Sequence, residues 1–517
     1  MEYDLCLIFP PVWYAEYPYL STAALKAYLE GKGFKVLQKD LNIGFFQKLK
    51  KSEEVKPLYD KAREYLRKHE TGYGVIGELK EKIGKKDFEE FREDLAANNV
   101  PFDFFSAIVS LGSFFNEAST EVYHDPLFSS VSLSDYAVSL KGLKKIVGDN
   151  KNRFLGLREE IKCIKSSNFA ITVVALNQVV AAFTIARLIK EETNSRVFLG
   201  GPWATQLNKK LLKKEVFDFF DVVCFSDGEN VLSQLLEGQG FESVPGIAFR
   251  KCGKIIWNKA GSPVDINSLP TPSFDDLPLG EYFYPKMFPL QTSKSCYWAR
   301  CVYCSYPVIE GRYIERGMDL VVSDIKNLVK KYGAEKIMFA DSCLKPRRLE
   351  ELSKRILREG INIKFGAYAR FDKGFSKETF EIASKAGLKE LCWGLESGSG
   401  KVLKKIRKGF LLEEAEKILK EAKSFGIHSR VFFMYDLPCE ERKDFEKTLE
   451  FFKKNQENIS SFCLTRYVPE INTAIEKEAK NLGIKLKYNR KKNLCLAYDY
   501  LHSLKEKDIE EIAGKFN

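Results

Sequence analysis

Apolar runs of strand length alternate with helix-length amphipathic segments in two stretches of the chain. In the first stretch, residues 5–9 form a continuous apolar run, residues 21–29 have one apolar face, and residues 34–37 are predicted as the next strand. Continuous apolar runs are typical of strands buried on both faces, and a 3.6-residue period is typical of helices. The alternation resumes after residue 166, with predicted strands and helices at 169–174, 179–192, 196–199, 204–212, 222–225 and 229–236. This order predicts a doubly wound parallel sheet.

The second stretch repeats strand and helix more regularly. Predicted strands lie at 336–340, 363–368, 390–394, 430–435 and 461–465, each followed or preceded by a predicted helix (320–332, 347–359, 377–386, 413–425 and 440–453). Such a repeat predicts a partial (β/α)6 barrel, whose catalytic groups gather at the carboxyl ends of the strands.

The fold class is therefore α/β, with an N-terminal Rossmann-like parallel sheet followed by a partial barrel. We assign residues 1–258 to the first domain, including a charged insertion at about 45–166 with predicted helices near 56–68, 88–97, 102–115, 134–147 and 151–164. Residues 259–288 are Pro-rich and predict a linker. The barrel is expected over 289–475, and 476–517 form a weakly patterned C-terminal tail.

Composition limits the classes of protein that remain. The chain has 517 residues, 44% of them hydrophobic and 30% charged, which excludes wholesale disorder and a collagen-like structure. The net charge of +11 comes from lysines and arginines that are scattered among acidic residues. This pattern favours a solvated charged surface over a surface that binds nucleic acid. We find no signal-peptide pattern and no apolar run long enough to span a membrane, so a cytoplasmic location is expected. Twelve cysteines are too few for a disulfide scaffold at this length.

Three cysteines form the sharpest chemical signal. Cys296, Cys301 and Cys304 lie within nine residues. A four-iron cubane fully ligated by protein needs four cysteines, so three leave one iron open to an external ligand. Structural zinc needs a closed set of four ligands, for which no second cysteine pair lies nearby, although a distant fourth ligand stays possible. A thioredoxin-like redox pair and a chance cluster of core cysteines are the remaining alternatives.

At these residues the chain resembles the radical S-adenosylmethionine (radical SAM) enzymes. Their usual motif is CxxxCxxC with an aromatic residue before the last cysteine, here Tyr303. One extra residue separates the first two cysteines, as in some cobalamin-linked relatives with a CYWxxC-like opening. The resemblance implies a 4Fe-4S cluster whose open iron binds S-adenosylmethionine (SAM). An electron from the cluster then cleaves SAM to a 5′-deoxyadenosyl radical.

The same resemblance implies SAM contacts at successive strand ends. They are expected from Tyr303, Asp341, Arg370, Glu396, Ser397 and Met434. Glu396 and Ser397 belong to a GLES-like segment, and Met434 precedes a segment similar to the family's GxPxE. In the latter segment Asp436 and Cys439 replace the usual glycines.

The N-terminal sheet resembles the cobalamin-binding domain of cobalamin-dependent radical SAM proteins. The resemblance implies cobalamin contacts from Pro10, Leu176, Asn177, Gly200, Gly201, Pro202, Gly228 and Glu229. The family's DxHxxG motif is absent, and the four histidines lie elsewhere, so a histidine ligand from the usual loop is not expected. A degenerate domain that no longer binds cobalamin is the alternative.

These resemblances imply a cobalamin-dependent radical SAM enzyme that transfers a methyl group to an unactivated carbon. Its reaction requires an electron donor such as ferredoxin or flavodoxin. The substrate is unknown (a small molecule, a lipid or a peptide), and nucleic acid is not favoured. Alternatives are a radical rearrangement or cyclisation without methyl transfer, a non-catalytic Fe-S or cobalamin sensor, and a tRNA-modifying enzyme prompted by the positive charge.

Overall fold

The computed structural model describes residues 2–50, 60, 139–150, 152–207, 209, 211–487, 499–500, 504, 511–512 and 515. The described residues divide into two compact units, one up to Pro285 and one from Lys286 onward. Among the predicted helices of the insertion, those at 56–68, 88–97 and 102–115 lie outside the described residues, apart from residue 60. No helix in the described ranges is long and apolar enough to cross a membrane.

The first unit is built on a seven-stranded sheet. Its strands are β1 (Leu5–Phe9), β2 (Val36–Asp40), β3 (Asn168–Thr172), β4 (Arg196–Gly200), β5 (Val222–Cys224), β6 (Ile247–Lys251) and β7 (Lys254–Trp257). They are ordered β2-β1-β3-β4-β5-β6-β7, with β1 to β5 parallel and β6 and β7 antiparallel at one side. β1 and β3 are buried along their whole length, which explains their continuous apolar sequence.

Helices connect the strands of the first unit. They span Leu20–Glu30, Leu41–Lys50, Leu140–Gly148, Arg158–Lys162, Val179–Glu192, Pro202–Gln206 and Gly228–Leu236, with 3-10 turns at Arg153–Leu157, Leu176–Gln178, Lys214–Asp218 and Leu279–Glu281. The predicted helix 179–192 has the bounds that the structure shows. The predicted helix 204–212 was wrong: the helix starts at Pro202 and ends at Gln206, because Leu207 takes an extended conformation.

Two more segments of the first unit differ from the sequence pattern. The second strand begins at Val36 instead of residue 34, because the Lys35 amide is bonded to the Asp4 carboxylate (2.7 Å) before the ladder starts. In the Pro-rich segment predicted as a linker, Phe274 and Tyr282 are buried. Gln38 Nε2 on β2 donates to the carbonyl of Ser273 at 2.8 Å. This part of the segment therefore packs on the first sheet.

The second unit contains six parallel strands. They are β8 (Met287–Leu290), β11 (Lys336–Phe339), β12 (Lys364–Ala369), β13 (Leu388–Glu396), β14 (His428–Tyr435) and β15 (Ser461–Arg466), paired in that order. A short antiparallel ribbon joins β9 (Ser293–Lys294) to β10 (Ile314–Glu315), and another joins β16 (Leu486–Lys487) to β17 (Asp499–Tyr500). The order of strands confirms the predicted strand-helix repeat.

The helices of the second unit follow the amphipathic pattern of the sequence. They span Tyr306–Ile309, Met318–Tyr332, Pro346–Arg358, Lys377–Lys385, Gly400–Lys405, Leu412–Ser424, Arg442–Asn455 and Ile475–Glu478, with a 3-10 turn at Gln456–Asn458. In Met318–Tyr332, the buried Val321, Ile325 and Leu328 lie at helical spacing. This helix ends where Gly333 adopts a left-handed conformation (φ +65°).

Candidate functional site

The three cysteines lie in one loop of the second unit, residues 295–304, which we call the cysteine loop. Its start is fixed by the ribbon that pairs Lys294 with Ile314. All three thiols are half-buried. Among the described residues, no three His, Cys, Asp or Glu side chains stand close enough together to hold a single metal ion. In a cubane, each cysteine binds a different iron, so its ligands need not meet at one ion.

A fourth thiol lies beside the first cysteine of the loop. The Cys343 thiol donates a hydrogen bond to Cys296, and together with the amides of Ala299 and Trp298 it lowers the pKa of Cys296 to about 6 against the effect of burial. Burial raises the pKa of Cys301, and it raises that of Cys304 to about 12. No pattern in the sequence indicated that Cys343 would lie beside Cys296.

Asp341 holds the entrance of the cysteine loop. Its carboxylate is fully buried and accepts hydrogen bonds from the Thr292 amide and hydroxyl, both at 3.1 Å. It also accepts from the Ser293 hydroxyl at 2.7 Å and from the Ser293 amide. Because these hydrogen bonds fix the backbone before Cys296, the Asp341 carboxylate positions the cysteine loop in this structure.

Arg370, at the end of β12, also contacts the loop. Its guanidinium lies 4.2 Å from the ring centre of Trp298, within cation–π range. It donates to Asp372 at 3.1 Å, and the Tyr297 hydroxyl donates to the same carboxylate at 3.0 Å. A second guanidinium bond goes to the carbonyl of Lys408. Arg370, which was predicted to contact SAM, therefore contacts the cysteine loop in this structure.

Glu396, Tyr303 and Lys408 form a buried hydrogen-bonded group. Glu396 Oε1 accepts from the Tyr303 hydroxyl and from Lys408 Nζ, each at 3.1 Å. Burial alone would lower the pKa of Lys408, but Glu396 and the nearby Cys301 outweigh it and raise the pKa. Burial and the Glu396 carboxylate raise the pKa of Tyr303. The two charges are therefore paired with each other beside the cysteine loop.

Ser397 begins a turn that packs closely on a neighbouring helix. The amide of Gly398 donates to Thr448 Oγ1 at 2.9 Å, and an added Cβ at Gly398 would lie 2.6 Å from the carbonyl of Lys447. The Ser399 hydroxyl donates to the fully buried Asp444 at 2.8 Å. Only glycine fits this contact, so the glycine after Glu396 and Ser397 has a packing reason.

Two residues of the segment after β14 have a backbone conformation that favours glycine. Met434 is half-buried at the end of this strand. Asp436 and Cys439 have φ values of +61° and +65°, the left-handed region that favours glycine. Glu440 is fully buried, and its Oε2 accepts from the Leu437 amide at 3.1 Å. Both positions therefore adopt the backbone conformation that favours glycine, although neither residue is glycine.

In the first unit, the predicted cobalamin residues follow the carboxyl ends of parallel strands. The strand order β2-β1-β3-β4-β5 has its topological switch point between β1 and β3, where such sheets bind ligands. Pro10 follows β1, and its carbonyl accepts from Gln178 Nε2 at 2.8 Å. Asn177 Nδ2 donates to the Val12 carbonyl at 2.7 Å. Leu176 opens the same 3-10 turn. These bonds hold the two loops of the switch point together.

Of the glycines predicted to contact cobalamin, Gly201 is required by the packing of the protein itself, and Gly228 lies close to a side chain of the same unit. Gly200 ends β4, and Gly201 (φ +95°) precedes Pro202; a Cβ on Gly201 would lie 2.5 Å from the Val173 carbonyl. A Cβ on Gly228 would lie 3.1 Å from Leu25. Glu229 is the acidic residue of the first turn of the helix that Gly228 begins.

The indole N–H of Trp203, at this edge, has no acceptor among the residues that the structure describes. Trp203 is fully buried in the helix after Pro202, and its indole Nε1 donates to no acceptor among the described residues. An unpaired buried N–H costs free energy unless a ligand supplies the acceptor. Its side chain has no exposed surface, so this N–H is closed to a ligand in the present conformation and is not an indication of cobalamin.

Sequence reasoning missed a segment that touches the cysteine loop. Residues 406–409 follow the helix Gly400–Lys405, and Lys408 belongs to this segment. The carbonyl of Ile406 accepts from the Val302 amide at 3.2 Å. The carbonyl of Arg407 accepts from Trp298 Nε1 at 2.8 Å. The only sequence signal was a lysine and a glycine beyond a short helix, which alone indicates a helix end.

Comparisons with known proteins agree with this geometry. Residues 291–452 match the model of the Radical SAM superfamily. The chain is 28% identical over 300 residues to an uncharacterized methyltransferase of Pyrococcus horikoshii, covering 56% of this chain and 64% of the relative. It is 30% identical over 182 residues to the ribosomal protein uS12 methylthiotransferase RimO of Phocaeicola vulgatus, covering 32% of this chain and 40% of that protein.

Two solved structures share the fold over nearly the whole chain. The cobalamin-dependent SAM radical enzyme OxsB, with aqua-cobalamin and SAM bound, aligns with a TM-score of 0.61 at 16% identity, covering 96% of this chain and 64% of OxsB. The radical SAM methyltransferase TsrM from Kitasatospora setae aligns with a TM-score of 0.58 at 15% identity, covering 94% of this chain and 79% of TsrM. The chain thus spans less than two thirds of the Pyrococcus relative and of OxsB. The predicted fold class is confirmed.

Proposed function

We propose that this chain, whose residues 291–452 match the Radical SAM superfamily model, is a radical SAM enzyme and a cobalamin-dependent methyltransferase acting on an unactivated carbon. The radical SAM domain binds a 4Fe-4S cluster and SAM, as predicted, and its chemistry requires a substrate and a reductant. When bound, the cluster and SAM supply a 5′-deoxyadenosyl radical, and methylcobalamin supplies the methyl group.

The observation that carries the proposal is the cysteine loop with its buried charges. Cys296, Cys301 and Cys304 supply three thiolates, which leaves one iron of a cubane for SAM. The Glu396–Lys408 ion pair lies beside these thiols, with both side chains about nine-tenths shielded from solvent. Glu396 would bind the amino group of SAM, and Lys408 holds the orientation of that carboxylate.

The remaining residues of the site position these groups and exclude water. Asp341 fixes the entrance of the cysteine loop, and Arg370 fixes its middle through Trp298. Tyr303 covers Glu396 and donates to it. A fixed, partly dry site suits radical chemistry because it aligns the reacting groups and keeps competing reactions out.

The cobalamin part of the proposal is supported by the first unit. Its sheet has a switch point between β1 and β3, and the predicted contact residues lie in loops that follow the carboxyl ends of its parallel strands. No histidine of the described residues lies in these loops, so cobalamin would bind without a histidine ligand from them. A low-potential protein such as ferredoxin or flavodoxin would donate the electron.

Anaerobic reconstitution tests the proposal. The protein is prepared with iron, sulfide and cobalamin, and the bound amounts are measured in the wild type and in Cys301→Ala. We expect about four irons per wild-type chain and one cobalamin, with the iron lost from the variant. After the cluster is reduced in the presence of SAM, mass spectrometry should detect 5′-deoxyadenosine. Bound zinc in place of iron, or a loaded cluster that leaves SAM intact with every candidate substrate, would contradict the proposal.

The same assay separates methyl transfer from its alternatives. Methyl transfer through cobalamin produces S-adenosylhomocysteine as well as 5′-deoxyadenosine, because a second SAM regenerates methylcobalamin. A rearrangement or cyclisation produces 5′-deoxyadenosine without S-adenosylhomocysteine. A sensor produces neither, although it binds the cluster.

A further inference from the structure

The side chain of Trp298 is half-buried and lies between the first two cysteines of the loop in sequence. Arg370 lies over its ring at 4.2 Å, and the guanidinium of Arg300 is 5.0 Å from the ring centre. Its Nε1 donates to the Arg407 carbonyl at 2.8 Å. Arg370 is itself only 5% exposed and is fixed by Asp372 and by the carbonyl of Lys408, so the contact is between two held groups.

Gly409 lies directly against the indole ring of Trp298. Its φ is +73°, and an added Cβ would lie 2.0 Å from Trp298 Cζ2 and 2.3 Å from Cη2. Contacts below 3.0 Å do not occur between such atoms, so any side chain at 409 would have to push the indole away. The absence of a side chain at Gly409 is therefore a condition for the present position of Trp298.

The backbone around Trp298 is joined to the same segment and to the first thiol. The amides of Trp298 and Ala299 donate to Cys296 Sγ, and Ala299 has a φ of +47°. On the other side, the Val302 amide donates to the Ile406 carbonyl at 3.2 Å. A shift of the indole would thus move the donors to Cys296 and the turn that leads to Cys301.

We propose that Trp298 is a positioning residue for the iron-sulfur cluster, clamped between Arg370 and Gly409 so that the four residues between Cys296 and Cys301 hold both thiols in place. The inference rests on the proposed function, because it assumes that these thiols bind the cluster. The longer spacer has more conformational freedom than a three-residue one, and the clamp removes that freedom at its centre. Residues that orient metal ligands in this way commonly affect affinity by about 10- to 100-fold.

Two variants test the clamp, one by removing the indole and one by changing the glycine that contacts it. Trp298→Ala removes the indole, whereas Gly409→Ala keeps it and places a methyl group in its position. The matched control is Gly426→Ala, because Gly426 has a similar φ of +69° but no atom within 4 Å of its added Cβ. Trp298→Phe keeps an aromatic ring near Arg370 but loses the bond to Arg407 and the indole atoms that lie over Gly409, so it should retain only part of the wild-type resistance to iron release.

The readouts are iron release to a chelator, the electron paramagnetic resonance spectrum of the reduced cluster without SAM, and urea unfolding of the apoprotein. We expect Trp298→Ala and Gly409→Ala to release iron at least about tenfold faster than the wild type and to change the spectrum. Gly426→Ala should lose comparable apoprotein stability and keep wild-type iron release, and Trp298→Phe should lie between.

Three outcomes would overturn the inference or its premise. Wild-type release rates and spectra in both Trp298→Ala and Gly409→Ala would refute the clamp while leaving the proposed function intact. Equal acceleration in Gly426→Ala would mean that general destabilisation explains the effect, which also refutes the clamp. A wild-type protein that takes up no iron would refute the proposed function, and the clamp with it.

Discussion

Replacing Asp341 by alanine should detach the cysteine loop from the strand that holds it. The carboxylate is fully buried and accepts from the backbone amides and the hydroxyls of Thr292 and Ser293. Alanine leaves these donors without the acceptor. Asparagine keeps one acceptor oxygen and nearly the same shape, so Asp341→Asn is the conservative comparison.

The size of the effect follows from the number of donors left unpaired. A buried donor that loses its acceptor costs about 1–3 kcal/mol. For the two backbone amides of Thr292 and Ser293 together, the free energy of unfolding should therefore fall by about 2–6 kcal/mol. The hydroxyls can rotate to other acceptors, so we leave them out of this estimate. Because the two residues lie directly before the cysteine loop, iron uptake should fall with stability.

Urea unfolding and iron content after reconstitution check this reasoning. Asp341→Asn should keep most of the iron that Asp341→Ala loses. Asp444→Ala is the control, because Asp444 is equally buried and its hydrogen bonds go to Ser399, Lys401 and Glu441. It should lose stability and keep the iron. If Asp341→Ala takes up full iron and only weakens SAM binding, Asp341 is a SAM contact and the loop-anchor reasoning is wrong.

Two further predictions concern Cys343 and Glu440. Cys343→Ala should retain about four irons per chain, because Cys343 only donates to Cys296, whereas Cys304→Ala should lose them; loss of iron in Cys343→Ala would show a fourth ligand. Burial raises the pKa of Glu440 from 4.5 to about 8, so the folded state keeps its proton at pH values where the unfolded state has lost it. As the pH rises from about 5 to 8, the free energy of unfolding of the wild type should therefore fall, by on the order of 3–5 kcal/mol at most. Glu440→Gln should lack this pH dependence. The same pH dependence in urea unfolding of both proteins would contradict the prediction.

The periodic parts of the fold were predictable from the sequence. Strand β1 and the helix Val179–Glu192 have the predicted bounds, since a run of buried residues and an amphipathic face are local properties. The strand-helix repeat of the second unit was predictable for the same reason. The strand β2 was placed two residues early, because the side chain of Asp4 decides where its ladder begins.

Contacts distant in sequence were not predictable. Trp298 and Gly409 are far apart along the chain, and nothing in the pattern around either residue indicates that the indole needs a glycine beneath it. In the same way, Cys343 was visible only as an isolated cysteine until the fold placed it beside Cys296. Asp341 was expected to contact SAM because it ends a strand, and its hydrogen bonds to Thr292 and Ser293 depend on the neighbouring strand.

Mössbauer spectroscopy of ⁵⁷Fe-loaded protein, before and after addition of SAM, tests the central claim most directly. Three protein ligands on four irons predict one iron with a spectrum distinct from the other three, and SAM should change the signal of that iron alone. Four irons that are all indifferent to SAM would mean that a protein group closes the fourth position, and the radical SAM account of this site would then be wrong.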